Sequence, residues 1–190
     1  MKFVRKVEEM LKKDIQSILD HSYIQRIRNG ELSKLELQFF AGQYCIYCMH
    51  FPRFLAAVAS NIEDDKYRLP IIKNLWEEHG EGILEKSHRQ LYFKFSNALG
   101  LSQSELLRIE PLISTTICVE NLMYLCQHAH FVESLGALGH GTEFFTSEEY
   151  FILFEGLKQY NYFTEKDLEF WSIHVGLDDE HYGEMMDILI

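Results

Sequence analysis

Toward the C-terminal end of the chain, two histidines and an aspartate stand at helical spacing, His174-x3-Asp178-x2-His181. On a 3.6-residue helix, positions i, i+4 and i+7 fall at about 0°, 40° and −20° around the axis, so the three side chains would project from one stripe. Two imidazoles and a carboxylate supply the nitrogen and oxygen donors that suit iron, manganese or zinc. Ile173, Val175 and Leu177 set the stripe beside an apolar face, while Asp179 and Glu180 fit equally a solvated acidic helix face without metal. A second candidate lies upstream. Glu78 and His88 are ten residues apart, which on an unbroken helix would rotate them about 80° from each other. Gly80 and Gly82 interrupt that helix and offer a way of returning both to one site. Glu81 competes with Glu78 for the role, as does Glu85, which forms a Glu-x-x-His pair with His88. Without metal the stretch reads as a capped loop with solvated acids.

Other residues able to do chemistry carry less. Cys45-x2-Cys48 beside His50 lies in an apolar helical stretch with no second cysteine pair of matching spacing. With Cys118 and Cys126, these thiols are expected to be reduced and buried. His128 and His130, two apart, face different sides of a helix. Tyr44, Tyr47, His50 and Tyr124 fit the lining of a substrate pocket and fit ordinary aromatic packing as well.

The elements that must position these residues are helical almost throughout, with no alternating strand bounded by hairpin signals. A first helix is expected from Phe3 to Leu19 and a turn at Asn29-Gly30. Ser33 with Glu36 forms a capping box for a long helix from Lys34 to Asn61, bent at Pro52. Asp64 or Asp65 opens a helix to His79, and after the glycines a helix resumes from Leu84 to Leu99. Ser102 with Glu105 marks another cap. A long segment follows Pro111 to Phe145, then a helix from Thr146 or Ser147 to Tyr160, and a last one from Thr164 to Ile190. The expectation is an all-α bundle of seven to eight helices in one domain, residues 1–190, whose last helix is cut short because no stop signal precedes Ile190.

Length and a hydrophobic content of 47% suit one core. A net charge of −11 with no basic patch argues against nucleic acid. The basic residues of the first helix alternate with Glu8, Glu9 and Asp14 as on a solvated face. No apolar run approaches the ~20 residues of a membrane span, and charges stand where a signal peptide needs its apolar core. A cytoplasmic location without membrane attachment is therefore expected.

The Glu-Glu-x-Gly-x-Gly-x5-His stretch at 77–88 and the His-x3-Asp-x2-His stretch at 174–181 resemble the ligand motifs of the heme-oxygenase-like di-iron oxidases, a family related in fold to the TenA thiaminases and the pyrroloquinoline-quinone synthases. QYCIYCMHFPRFLAAVAS, HRQLYFKFSNALGL and GALGHGTEFF are also similar to segments of that family, and the likeness spans residues 20 to 188. The resemblance implies a heme-oxygenase-like (TenA-like) bundle and six metal ligands: Glu78, His88, Glu143, His174, Asp178 and His181. It implies two metal ions, iron or alternatively manganese, and a dioxygen-dependent oxidation of a small organic substrate or of the protein's own side chain. His88, His174 and His181 would anchor the ions, Asp178 and Glu143 hold or bridge them, and Glu78 shift between binding modes. Charge supports a cation: three carboxylates converging at ~5 Å in an effective dielectric of ~20 cost on the order of 3 kcal/mol per pair. Glu78 and Tyr44 are the candidate catalytic side chains. Family members linked to p-aminobenzoate formation use pocket tyrosines and a lysine. Here Ile24 and Phe40 stand where tyrosines are expected, and no lysine follows Glu143 before Lys158. A homodimer is implied by the resemblance. The alternatives are a metal-free enzyme of the same fold and a protein-interaction module.

Overall fold

A computed structural model of the chain describes residues 2–175 and 177–189, with the backbone alone for 177–180. The chain forms two compact units, Ser33–Ala137 and Met1–Leu32 together with Leu138–Ile190.

In the first unit, α3 (Lys34–Asn61) is the central rod, packed against α4 (Asp65–Glu78), α5 (His88–Ala98) and α7 (Ile113–His128). It begins where expected. The Ser33 hydroxyl accepts from the Glu36 amide at 3.3 Å and the Glu36 carboxylate accepts from the Ser33 amide at 2.8 Å, so two orphan donors are satisfied reciprocally. Pro52 lies inside the helix. Phe54, Leu55 and Val58 are fully buried, each such side chain contributing roughly 1.5–3 kcal/mol. Polar side chains tie the rod to its neighbours. The Tyr92 hydroxyl donates to the Ala41 carbonyl at 2.8 Å, Gln38 to the Leu99 carbonyl at 2.8 Å, and Asn61 to the Cys126 carbonyl at 2.7 Å. The Gln43 carboxamide accepts from the Leu112 amide and the Thr115 hydroxyl and donates to the Glu110 carbonyl, which pins the start of α7. A short helix, α6 (Gln103–Leu106), carries the second capping box, Ser102 with Glu105.

The second unit joins α1 (Lys2–Leu19), α2 (Ser22–Arg28), α9 (Phe144–Leu157), α10 (Glu169–His174) and α11 (Leu177–Leu189). Gly156 lets α9 press against α2: a Cβ there would lie 2.6 Å from the Ile27 carbonyl oxygen. The Tyr160 hydroxyl accepts from the Leu32 amide at 3.0 Å, and Gln159 donates to the Arg28 carbonyl at 2.5 Å.

The helical class is as expected, but several stretches divide differently. The helix expected from Leu84 begins at His88, after a 3-10 turn at Leu84–Lys86. The segment after Pro111 is broken between His128 and Phe131, where Ala129 is extended (φ −80°, ψ 165°). Helix α8 (Phe131–Leu138) then runs through a π-turn at Gly139–Glu143 directly into α9, so neither Thr146 nor Ser147 starts a helix. The Thr146 hydroxyl instead donates to the Thr142 carbonyl one turn back, which removes its value as a cap. The expected last helix is two, because Val175 leaves helical geometry at ψ 104°. Among the described residues no helix is long and apolar enough to cross a membrane.

The glycine contacts yield a paired test. Gly156→Ala drives a Cβ into fixed backbone and is expected to destabilise by about 2–3 kcal/mol, the range for overpacking. Gly42→Ala meets only side-chain atoms of Ile109, its Cδ1 and Cγ2, rather than backbone, and is expected to cost less than Gly156→Ala after the helix-propensity gain. Chemical denaturation of both variants checks the order, and equal midpoints would contradict it.

Candidate metal centre

Glu78 is the last residue of α4 and His88 the first of α5. Between them Gly80 (φ +64°), Glu81 (φ +53°) and Gly82 (φ +84°) are all left-handed and make one short 3-10 turn, and a second, Leu84–Lys86, follows. Three successive left-handed residues reverse the chain, and two of the three positions are glycines, which occupy that region without penalty. A Cβ on Gly80 would lie 2.5 Å from the Ser87 nitrogen, so glycine is required there twice over. Ser87 then caps α5, its hydroxyl accepting from the Gln90 amide. The outcome is a buried pair: Glu78 Oε1 lies 3.0 Å from His88 Nδ1. With the carboxylate as acceptor, Nδ1 carries the proton and the lone pair of the ring lies on Nε2. Glu81 and Glu85, the competitors, are exposed.

In the other unit Glu143 closes the π-turn and is 3% exposed. A π-turn adds a residue to a helical turn and re-aims the side chains on it. The Thr142 hydroxyl donates to the Leu138 carbonyl within the same turn. His174 is the last residue of α10, buried, with Nδ1 donating to the Phe170 carbonyl at 2.6 Å. That bond fixes the tautomer and leaves Nε2 as the available donor atom. His181 is buried on α11. The side chain of Asp178 lies outside the described residues. The stripe expected on one continuous helix does not form, since His174 ends α10 and His181 belongs to α11.

Tyr44 is half-buried on α3, its ring 5.3 Å from Phe40, 6.1 Å from Tyr47 and 6.5 Å from Tyr92. With Phe40, Tyr47, Thr115 and Cys118 it lines a cleft of about 320 Å³ between α3 and α7. His50 lies outside that lining, its Nδ1 donating to the Ile46 carbonyl. Tyr124 is exposed. All four cysteines are free, but only Cys45 and Cys126 are buried; Cys48 is half-buried and Cys118 exposed. Burial pushes the Cys45 thiol up to about 12, so it stays protonated near neutral pH.

Two features are absent from the sequence reading. His140, buried in the π-turn, has Nε2 without a hydrogen-bond partner and lies edge-on to Tyr182 at 5.6 Å. Burial holds its pKa down, against the opposing charge of Glu8 and a hydrogen bond with the Val4 backbone. Tyr150 stacks on the His174 ring. Only the buried aromatic density of 150–174 hints at this from sequence.

Comparison with known proteins supplies the class. A TenA homologue from Pseudomonas syringae superposes with a TM-score of 0.84 at 15% identity over 97% of this chain and 77% of that one. A domain of heme oxygenase-like fold from Shewanella denitrificans does so at 0.80 and 19% identity, over 98% and 78%. The fold is therefore of the TenA/heme-oxygenase-like kind. The sequence pattern of iron-containing redox enzymes matches residues 38–190, and the chain belongs to that family of oxidoreductases. It is 28% identical to a 4-aminobenzoate synthase of Chlamydia pneumoniae over 183 residues, 95% of this chain and 80% of that one. To the 4-aminobenzoate synthase of Nitrosomonas europaea it is 29% identical over 175 residues, 86% of this chain and 69% of that one.

One electrostatic consequence is open to a direct test. Glu149, half-buried beside Tyr150 in sequence, has its carboxyl pushed up to about 7 by burial. The folded state therefore favours the protonated form. The stabilisation is full below the ordinary carboxyl pKa of 4.5 and is lost as pH rises through about 7. Glu149→Gln is expected to leave the melting temperature nearly unchanged at pH 4.5 and to raise it above wild type at pH 8. A pH-independent difference between the two proteins would refute this.

Proposed function

We propose that the chain is a di-iron oxidase that uses dioxygen to oxidise a small organic substrate, with Glu78, His88, Glu143, His174, Asp178 and His181 as the metal ligands. The observation that carries this is the burial of five donor side chains, Glu78, His88, Glu143, His174 and His181, in a member of an iron-containing family. The donors are carboxylates and imidazoles with no thiolate, a set that fits iron and also manganese. A buried carboxylate needs a cation or donors to offset its desolvation, and Glu78 and Glu143 are both in that position.

Bound iron would supply the redox chemistry with dioxygen. The protein's own residues prepare the site. Glu78 holds the His88 proton on Nδ1, and the Phe170 carbonyl holds the His174 proton on Nδ1, so each imidazole offers Nε2. Burial of the donors excludes bulk water. Glu78, at a helix end beside a glycine loop, is placed to change its partner as the charge of the centre changes. We assign Tyr44 to the substrate, because it faces the aromatic cleft between α3 and α7 and stacks on Tyr92, one turn beyond His88 on α5. Two relatives aligned over most of this chain are named 4-aminobenzoate synthase, which makes 4-aminobenzoate the product to assay first. The acidic charge suits a cytoplasmic enzyme with a small-molecule substrate and no nucleic acid partner. A homodimer remains part of the proposal.

Anaerobic loading with ferrous iron followed by metal analysis tests the reading. About two irons per chain are expected for wild type, and fewer than half that for His174→Ala and for His181→Ala. Wild-type protein holding less than roughly 0.3 iron or manganese per chain after loading would remove the basis for a metal-dependent oxidase.

A further inference from the structure

We infer that Tyr150 is a positioning residue for His174: its ring face sets the plane of the imidazole, so that Nε2 is presented in one direction as a donor. The inference rests on the reading of His174 as a metal ligand and extends it to a residue outside the ligand set. The two rings stack with centroids 4.5 Å apart and planes within 17°. Both are buried, Tyr150 at 4% and His174 at 6% exposure.

The need for such a support follows from where His174 sits. Helix α10 has six residues and His174 is the last of them. A helix that short has little stability of its own, and its terminal residue is the first to fray. The bond from Nδ1 to the Phe170 carbonyl fixes the tautomer and one direction of the ring. It does not stop the ring from tilting about the Nδ1–oxygen line. The Tyr150 face removes that freedom from one side. Phe170 leans on the imidazole from another, at 4.7 Å and 55°. Tyr150 is itself braced by Trp171 at 5.3 Å and Phe170 at 5.8 Å, and Trp171 is fully buried. Tyr150 itself stands on α9, a helix of fourteen residues, so the face laid against His174 comes from outside α10, while Phe170 and Trp171 of α10 pack on the same ring. The stack has an electronic preference as well. An aromatic face is electron-rich, and an imidazole that gives electron density to a cation becomes electron-poor, so the contact strengthens when Nε2 is occupied.

The test compares Tyr150→Phe, which keeps the ring face, with Tyr150→Leu, which keeps apolar volume and loses it. Two readouts apply: cobalt(II) affinity by chelator competition with its visible spectrum, and the His174 tautomer of the metal-free protein by nitrogen-15 NMR. Tyr150→Phe is expected to match wild type in both. Tyr150→Leu is expected to bind cobalt about 10- to 100-fold more weakly, the range for losing a residue that orients a ligand, with an altered spectrum and, because a ring that can tilt bends its bond to the Phe170 carbonyl, with a smaller excess of the Nδ1–H tautomer. A Leu variant with wild-type affinity, spectrum and tautomer overturns the inference. Should wild type bind no cobalt, His174 is not a ligand and the inference falls with it, while a tautomer lost in the Leu variant alone still shows that the ring is held. If Tyr150→Leu does not fold, Trp171→Phe loosens the brace behind an intact Tyr150 and is expected to move both readouts in the same direction by a smaller amount; no movement overturns the inference.

Discussion

Burying a carboxylate is the constraint on which the rest of this molecule depends. Taking an ionised carboxyl out of water costs several kcal/mol after relaxation, and the cost is recovered only when donors or a cation meet the oxygens. Glu78 and Glu143 are both withdrawn from solvent, at 8% and 3% exposure. For Glu78 part of the answer is visible in His88 Nδ1 at 3.0 Å. A buried acid beside an imidazole is a donor set that suits a cation, and the chain belongs to an iron-containing family.

The backbone meets this constraint by placing four of the six candidate ligands where regular structure stops. Glu78 ends α4, His88 begins α5, Glu143 closes the π-turn and His174 ends α10. In the middle of a helix a side chain's direction is set by its neighbours one turn away. At a terminus the chain can turn, and the side chain is aimed by the turn instead. The left-handed run Gly80-Glu81-Gly82 shows the cost of that freedom, since Glu81 adopts a conformation few residues other than glycine accept.

Sequence reasoning recovered the regular parts well, and the reasons are local. Both capping boxes and the bounds of α3 follow from a serine with a glutamate three residues on, and the glycines after Glu78 announce a break by their type. The irregular parts carry no such mark. Nothing in Gln127-His128-Ala129-His130 signals that α7 ends there, and a π-turn has no residue signature beyond its small side chains. The spacing of His174, Asp178 and His181 fits one helical stripe, and the structure replaces it with a turn at Val175. Gly176 follows Val175 in the sequence, a residue costly inside a helix. A closer weighing of that pair would have divided the helix. The support of His174 by Tyr150 was beyond reach, because it depends on how α9 meets α10 rather than on either alone.

The first helix illustrates the same limit from the opposite direction. Its alternating charges describe a solvated face, and most of that face is exposed. Glu8 is not: it is half-buried and accepts a 2.7 Å hydrogen bond from the Tyr182 hydroxyl. Burial first, then the bond to Glu8 and its negative charge, push the Tyr182 hydroxyl well above its ordinary pKa. The hydroxyl therefore stays protonated near neutral pH, as a donor. Tyr182 follows His181 directly, and its ring also meets His140 and Phe144 at the π-turn that carries Glu143. A helix lying outside the matched family segment, 38–190, thus fixes the element on which His181 stands. A charge pattern reports how much of a helix is wet. The single residue in it that faces inward is decided by what the rest of the chain brings opposite.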